Sequence, residues 1–389
     1  MNPFYIVSLL RGAAIGFYAP IWILFLYNSN YSLFIIGVIG TLFEIMKLIF
    51  EVPSGAIADK FGTRKNLIYS ALCLTLTWLL FSLTTNIIIL LFILIIWTLS
   101  ETLFSGTFEA WISNRVDKNT FSKIMFNNTK LSISAIIVIS PFSGFLYKMC
   151  QFMPFVLAGI VSLILMIYLY FTVSESNENE RRETYHKSII NVIIESIRVI
   201  TRNKRALHIV AASFFFALVI DNMDRYWQPY FQYIKIPEVL FGFILTSGGL
   251  VLLIILHIFS KFNDGFNKFP EKYVIITTIV TIVLIILLAV GKKLIALFSV
   301  SLLTIVDDLI NTLVNNILNQ EISDTSKSMA TIFSLNGAAG AMGEILSGII
   351  FGFIITQLGY KLTFIICSIV LVVPLILYRK NTLLFSKKV

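Results

Sequence analysis

The stretch Gly55-Ala56-Ile57-Ala58-Asp59-Lys60-Phe61-Gly62-Thr63-Arg64-Lys65 joins two long apolar runs, at 33–58 and 66–83. It combines a carboxylate, three basic side chains and a glycine near each end. Glycine permits a tight turn and a close approach of neighbouring segments. Basic residues in a short connection between apolar runs favour the cytoplasmic surface of a membrane. The stretch therefore predicts a membrane-surface turn between two helices.

The rest of the chain continues this alternation of apolar runs and short polar breaks. Of the 389 residues, 57% are hydrophobic and 13% are charged, about half the charge of an ordinary soluble domain. This composition excludes a soluble enzyme. A run of about 20 apolar residues crosses a hydrocarbon core roughly 30 Å thick as a helix. The sequence predicts an all-α polytopic membrane protein with twelve transmembrane helices at 4–27, 33–58, 66–83, 87–112, 124–147, 152–173, 207–234, 239–259, 273–290, 294–318, 329–358 and 362–378.

One long polar stretch divides these helices six plus six. We therefore predict an N-terminal six-helix bundle (1–173), a cytoplasmic central loop (174–206), a C-terminal six-helix bundle (207–378) and a cytoplasmic basic tail (379–389). The two halves echo each other, since Ala58-Asp59-Lys60-Phe61-Gly62 aligns with Phe259-Ser260-Lys261-Phe262-Asn263 at an offset of 201. Two duplicated six-helix halves are what a rocker-type secondary transporter needs.

The distribution of basic residues predicts the orientation. With both termini inside, the cytoplasmic segments hold 21 of the 30 Lys and Arg residues, the external loops hold five and the helices hold four. Cytoplasmic loops carry such an excess, so both termini are expected to be cytoplasmic. The net charge of +9 then reflects topology and not nucleic-acid binding. The richness in Ile, Asn and Lys favours the plasma (inner) membrane of a bacterium with an AT-rich genome.

Three segments carry a resemblance to a known family. The stretch 55–65 resembles the loop signature G-x-x-x-D-[RK]-x-G-[RK]-[RK] of the major facilitator superfamily, with Thr63 at the first of the two terminal basic positions. Ser140-Pro141-Phe142-Ser143-Gly144 is similar to the antiporter signature G-P-x-x-G of that family, and 105–111 resembles its drug-efflux, macrolide-exporter-like branch. The resemblance implies the major facilitator fold, with two pseudo-symmetric six-helix bundles.

The resemblance also implies a gating role for the first segment. Asp59 would act as a latch, which means that it would help to hold the outward-facing state closed on the cytoplasmic side. The alternative is a solvated loop that has no such role. The gating-loop residues are Gly55, Asp59, Lys60, Gly62, Arg64 and Lys65.

Acidic residues inside the predicted helices are the candidates for proton coupling, because a charge in the bilayer is costly and faces a partner or a cavity. The fourth helix carries Thr98, Glu101, Ser105 and Glu109 at helical spacing, and the tenth carries a similar set beginning at Thr304. The resemblance implies that these helices, with the first and seventh, line the central cavity; hydrogen bonding between packed helices is the alternative. The proton-coupling candidates are Glu101, Glu109, Asp224, Asp307, Asp308 and Glu344.

The first and seventh helices contribute candidates for substrate contact. Asp221, Asp224, Arg225 and Gln228 share one helical face, because they stand at i, i+3, i+4 and i+7. Each helix carries one arginine, Arg11 or Arg225, that serves either as an internal counter-ion or as a recognition group for anions. The substrate-cavity candidates are Arg11, Tyr18, Trp22, Ser105, Asp221, Arg225, Gln228, Asn311 and Asn315.

Other chemistries have no signal in the sequence. There is no G-x-x-x-x-G-K-[ST] loop for ATP, and the three cysteines and three histidines have neither disulfide nor zinc spacing. We therefore expect no cofactor, no metal and no catalytic residue. The proton-relay arginine of exporters in the resembled family would stand at Thr102. Its absence means that a relay has to be built from acids.

Together these features predict a secondary active transporter and not an enzyme. The leading hypothesis is a proton-coupled exporter (antiporter) of small amphipathic or cationic compounds, including drugs, that works by alternating access. Uptake of a small nutrient, by proton symport or facilitated diffusion, is one alternative, and a transport-inactive receptor or assembly partner is another. The expected partners are a small-molecule substrate, protons and the lipid bilayer, with no nucleic acid, and the chain is expected to be a monomer.

Overall fold

The computed structural model describes the backbone of residues 2–173, 204–261, 270–322 and 329–385. Within these ranges the side chains of 52, 55–61, 118–119, 122, 204–206, 256, 259–261, 270, 316, 319–322, 329–335 and 381–385 are not described. The described chain is helical throughout, and ten of its helices are long and apolar enough to cross a membrane. The helices are α1 Pro3–Tyr18, α2 Trp22–Asn28, α3 Leu33–Phe81, α4 Ile87–Phe104, α5 Thr107–Ser113, α6 Lys118–Met149, α7 Met153–Thr172, α8 Lys204–Tyr233, the 3-10 helix Glu238–Leu240, α9 Phe241–Lys261, α10 Pro270–Leu288, α11 Lys293–Leu303, α12 Val306–Ile322, α13 Met329–Val370 and α14 Val372–Phe385.

Two of the longest helices are each divided into two helical segments, because a glycine turns the chain inside them. Gly62 has φ 80° within α3, and Gly359 has φ 74° within α13. Glycine reaches positive φ without steric cost. Dividing α3 and α13 at these residues makes the described helices consistent with twelve spans. The helix before Gly62 continues through Phe61, so the turn is shorter than the predicted break at 59–65.

Three helices that the sequence predicts as continuous are interrupted in the structure. The first is divided around Ala19–Ile21, the fourth at Ser105 and Gly106, and the tenth at Thr304 and Ile305. The expectation that Glu109 continues the face of Glu101 is therefore wrong, because Gly106, with φ 73°, starts a new helix, α5. Thr304 and Asp308 are likewise separated by a helix break.

Local sequence explains the helix starts and the behaviour of the hydroxyl residues. The Asn86 side chain accepts a hydrogen bond from the Ile88 N–H at 2.9 Å and so caps α4. Inside the spans, Thr98 and Thr278 donate to the carbonyl four residues earlier, at 2.7 Å in both cases. A bilayer offers no water to these hydroxyls, so the backbone is their partner.

The surface carries large apolar side chains in many places. Phe171 is 81% exposed, Leu294 is 81% exposed and Ile88 is 75% exposed, and many more residues of this kind lie along the helices. A soluble monomer rarely exposes extended apolar patches. These side chains are suited to contact with lipid.

The chain forms two compact units. The first contains α1, α2, the part of α3 from Leu42 onward, α4 to α7 and residues Phe231–Leu253. Its core at one end joins α1, α3, α5, α6 and α7 through buried residues that include Phe4, Leu67, Trp111 and Leu169. The helices α1 and α6 approach closely at Gly12. A methyl group on Gly12 would lie 2.4 Å from the Ser132 carbonyl oxygen.

The second unit contains residues Ser32–Thr41, α8 up to Tyr230, and the described helices from Ile254 onward. The segment Ser32–Thr41 precedes the rest of α3 in sequence but packs here against α8 and α13. The Tyr226 hydroxyl lies 3.2 Å from the Leu33 carbonyl oxygen and 3.1 Å from that of Gly348. Gly37 allows this packing because it has no side chain. A Cβ added to it would lie 2.0 Å from the Gly348 carbonyl oxygen. Small residues permit such close helix contacts in membranes.

The segment Phe231–Leu253 follows α8 in sequence but belongs to the first unit, where it packs against α6. A Cβ on Gly242 would lie 1.7 Å from the Ser140 carbonyl oxygen, and one on Gly144 would lie 2.3 Å from the Glu238 carbonyl oxygen. The Thr246 hydroxyl also donates to the Ile137 carbonyl at 2.9 Å. Ser140-Pro141-Phe142-Ser143-Gly144, the antiporter-like string, is therefore a helix-packing surface on α6.

Candidate functional site

An ion pair joins two predicted site residues in the first unit. Arg11 Nη2 lies 2.5 Å from Glu101 Oε2, and the two side chains are 14% and 31% exposed. The Arg11 guanidinium also lies 3.8 Å from the centroid of the Phe104 ring, a favourable cation–π distance. Arg11 therefore acts as the counter-ion of Glu101.

An aromatic cluster lies beside this pair and contains Tyr18, Trp22, Phe43, Trp78 and Trp97. Tyr18 stacks on Trp78 with ring centroids 3.7 Å apart, and Trp97 meets Trp22 edge-on at 5.2 Å. Phe43 lies 4.7 Å from Trp97. The indole N–H groups of Trp78 and Trp97 are buried without a hydrogen-bond partner among the described residues. The cluster forms a largely buried aromatic core beside the ion pair.

Two other predicted residues of the first unit are separated from this pair by the helix break. Ser105 is exposed at the break, and Glu109 follows it on α5. One carboxylate oxygen of Glu109, Oε2, is buried and has no hydrogen-bond partner among the described residues.

A second ion pair lies on α8 in the second unit. Arg225 Nη2 is 2.6 Å from Asp221 Oδ1, and Arg225 Nε is 3.2 Å from Asp221 Oδ2. The guanidinium occupies the space left by Gly40, because a methyl group there would lie 0.8 Å from Arg225 Nη1. Arg225 is 6% exposed. The ion pair with Asp221, four residues earlier, and the space beside Gly40 hold the Arg225 guanidinium in place.

A small pocket in the second unit lies next to this pair. It is formed by α8, α10, α11 and the part of α13 after Gly359, and it is lined by Asn222, Met223, Asp224, Tyr226, Trp227, Tyr230, Leu288, Val300, Leu303, Thr304 and Phe364. Asp224 makes no hydrogen bond or ion pair with any described residue. Its side chain is accessible to water although protein surrounds it, because it lies in a recess. Asp221, Asp307 and Asp308 repel its charge and Arg225 attracts it.

The polar face of α12 is exposed, as its spacing predicts. Asp307, Asp308, Asn311 and Asn315 are all exposed on this helix. Asn311 Nδ2 donates to Asp307 Oδ2 at 3.0 Å. No ion pair joins Asp308 to another described residue.

The remaining predicted residues have varied surroundings. Gln228 is 1% exposed, and Glu344 is half-buried on α13. At the turn after α3's first span, Arg64 Nη2 donates to the Tyr170 carbonyl at 2.8 Å and Lys65 is exposed. The side chains of Gly55, Asp59 and Lys60 lie outside the described residues.

Several residues of these sites carried signals that the sequence reasoning missed. Trp97 stands one helical turn before Glu101, and Asn222 directly follows Asp221. Gly37 and Gly40 are three residues apart, a spacing that puts both on one helical face. The partners that these residues contact come from distant parts of the chain.

Comparison with known proteins identifies the family. Residues 4–343 match the family model described as Major Facilitator Superfamily. The chain is a member of the Major Facilitator Superfamily. It is 37% identical over 385 residues, 97% of this chain and 95% of the relative, to an "Uncharacterized MFS-type transporter YxaM" of Bacillus subtilis (strain 168). It is also 25% identical over 279 residues, 69% of this chain and 66% of the relative, to "Multidrug resistance protein 2" of the same organism.

Solved structures of Major Facilitator Superfamily transporters share the fold. The nucleoside transporter NupG has a TM-score of 0.75 at 16% identity, covering 98% of this chain and 99% of its own. The human organic anion transporter MFSD10 has a TM-score of 0.67 at 12% identity, covering 97% and 98%. The chain is therefore a multi-pass membrane transporter of the Major Facilitator Superfamily.

Proposed function

We propose that the chain is a proton-coupled exporter that exchanges protons for small amphipathic or cationic compounds by alternating access. One observation carries this proposal. Arg11 and Arg225 are each paired with a carboxylate of their own unit, Glu101 and Asp221. Asp224 and Asp308 then have no ion pair among the described residues. A site with carboxylates in excess attracts protons and organic cations and repels anions.

The length of α8 supports a position for these carboxylates near the middle of the bilayer. Asp224 stands nine residues before the end of the span at Tyr233, which is about 14 Å along the helix. This is about half of a hydrocarbon core roughly 30 Å thick. Transporters commonly bind substrate and coupling ions near the midplane. A relative named for multidrug resistance also supports export of drug-like compounds.

We propose that the exporter works in a bacterial plasma membrane as a monomer with both termini in the cytoplasm. Its partners are the substrate, protons and lipid. In an antiporter of this kind, protons that enter down their gradient displace the cation from carboxylates and drive it out. Acid on the proton-donating side should therefore accelerate efflux, and dissipating the gradient should stop it.

Neutralising the acids should remove this coupling. In proteoliposomes that contain a cationic dye, Glu109→Gln and Asp308→Asn should each abolish most of the efflux driven by an imposed pH gradient. Glu101→Gln should do the same and in addition leave Arg11 without its counter-ion. The control Glu238→Gln removes an acid outside these helices and should leave coupling intact. Full coupling in all three variants would show that these carboxylates do not carry protons, and accumulation of dye inside would favour the uptake alternative.

The gating loop provides a separate test of alternating access. Asp59→Asn should lower transport sharply at unchanged membrane abundance, because the carboxylate holds one state closed. Asp264→Asn is a matched control, since it removes an acid from the stretch of sequence that follows the aligned segment 259–263 in the second half. Dye efflux and immunoblots of the membrane fraction measure both quantities. Near-normal efflux by the Asp59 variant would rule out the latch.

A further inference from the structure

We propose that the pocket around Asp224 in the second unit binds the primary ammonium group of the transported cation. The inference rests on the proposed function for the cationic nature of the substrate. It adds the position at which the charge is held and the kind of amine that fits.

The charge of the pocket selects a cation. Asp224 is the one carboxylate in the lining, and no Lys, Arg or His is found among the described residues that form it. The nearby Arg225 does not compensate Asp224 fully, because its guanidinium forms three hydrogen bonds with Asp221. A charge within a membrane span is costly unless it has a partner or faces a cavity. A bound cation provides that partner.

Two polar side chains of the lining, Asn222 and Thr304, supply further acceptors. Asn222 is fully buried, and its Nδ2 donates to Cys367 Sγ at 3.2 Å. Its Oδ1 has no hydrogen-bond partner among the described residues. Thr304 donates its hydroxyl proton to the Ser301 carbonyl at 3.0 Å, so the oxygen faces other groups as an acceptor. Three acceptor groups, on Asp224, Asn222 and Thr304, match the three N–H bonds of a primary ammonium.

The aromatic lining suits the same charge. Trp227, Tyr230 and Phe364 line the pocket, and Tyr230 meets Phe364 edge-on with ring centroids 4.9 Å apart. Tyr230 donates its hydroxyl to the Leu288 carbonyl at 2.6 Å, which fixes the ring. The face of an aromatic ring attracts a cation. These rings replace part of the hydration that an ammonium group loses.

The size of the pocket decides between kinds of amine. The recess has room for about one water-sized group. A primary ammonium is of that size and donates hydrogen bonds. A trimethylammonium group is larger and has no N–H donor, so it neither fits nor satisfies Asn222.

Calorimetric titration of the purified full-length protein in detergent tests the assignment. The ligands are 2-phenylethylamine, its N,N,N-trimethyl analogue and the neutral 2-phenylethanol. We expect the amine to bind at least about tenfold more tightly than either analogue, because charge-assisted hydrogen bonds are lost in both. Equal binding of the trimethyl analogue, or no amine binding at millimolar concentration, would overturn the proposal.

Two variants locate the binding. Asp224→Asn should weaken amine binding about tenfold or more, and Asn222→Ala should weaken it by a smaller factor, whereas Glu238→Gln should bind as the wild type does. Size-exclusion profiles after heating establish that each variant is folded. Unchanged amine binding by folded Asp224→Asn would place the site elsewhere. The titration measures binding without a proton gradient, so it tests the pocket separately from transport. Proton-driven export of a cation by Asp224→Asn would refute the assignment of ammonium binding to this pocket and leave the proposed function standing.

Discussion

Replacing Arg225 with leucine should prevent most of the protein from accumulating in a folded form. Arg225 and Asp221 are both largely buried, with side chains 7% and 18% exposed. Removing one partner of such a pair leaves an uncompensated charge inside the protein, which costs about 3–5 kcal/mol. The whole free energy of unfolding of a typical domain is about 5–15 kcal/mol. The yield of monodisperse protein after heating in detergent measures the loss.

A second substitution separates charge from packing in this experiment. Asp221→Asn in the Arg225→Leu background replaces the unpaired carboxylate with a neutral amide and should restore part of the stability. Lys148→Leu removes an exposed charge and should have no such effect. If Arg225→Leu alone is as stable as the wild type, the pair does not hold α8 in place.

Replacing Gly242 with alanine should separate α6 from the start of α9. The new methyl group would lie 1.7 Å from the Ser140 carbonyl oxygen and 3.0 Å from the Pro141 Cα. Both are backbone atoms, so no side-chain rotation relieves the clash. Overpacking typically costs about 1–3 kcal/mol. We expect a lower thermal midpoint and loss of transport.

Gly337→Ala is the matched control, because a methyl group there meets nothing within 4 Å among the described atoms. Glycine is a poorer helix former than alanine by about 1 kcal/mol. The control should therefore leave stability unchanged or raise it slightly. A thermal midpoint that falls equally in both variants would mean that the Gly242 contact has no special weight.

The fold was predictable from the sequence because lipid imposes a simple rule on composition. Long apolar runs, a basic turn at 55–65 and the antiporter-like string indicated the family that the comparisons confirm. The partner of Arg225 could also be predicted from local sequence, because Asp221 stands four residues earlier on the same helix. Such short-range patterns need no knowledge of tertiary packing.

The partner of Arg11 could not be read in this way. Glu101 is 90 residues away, and helical periodicity gives the face of a helix but not its neighbour. The breaks at Gly106 and Thr304 were also missed, because the surrounding residues are apolar enough for an uninterrupted span. The sequence also does not tell which glycines of α13 lie at close contacts. Among the described residues, Gly348 and Gly352 make close contacts, whereas Gly337 and Gly340 do not.

The placement of the indole rings makes the protein's own fluorescence a selective reporter. Trp22, Trp78 and Trp97 lie within 5.2 Å of a neighbouring indole in the first unit, close enough to exchange excitation energy and depolarise their emission. Trp227 is the one tryptophan of the sequence after residue 111, and it lines the pocket of the second unit. Emission that stays polarised should therefore come mainly from Trp227 and from Trp111, which is buried in the core of the first unit. A ligand that enters the pocket should change the Trp227 component without any attached dye.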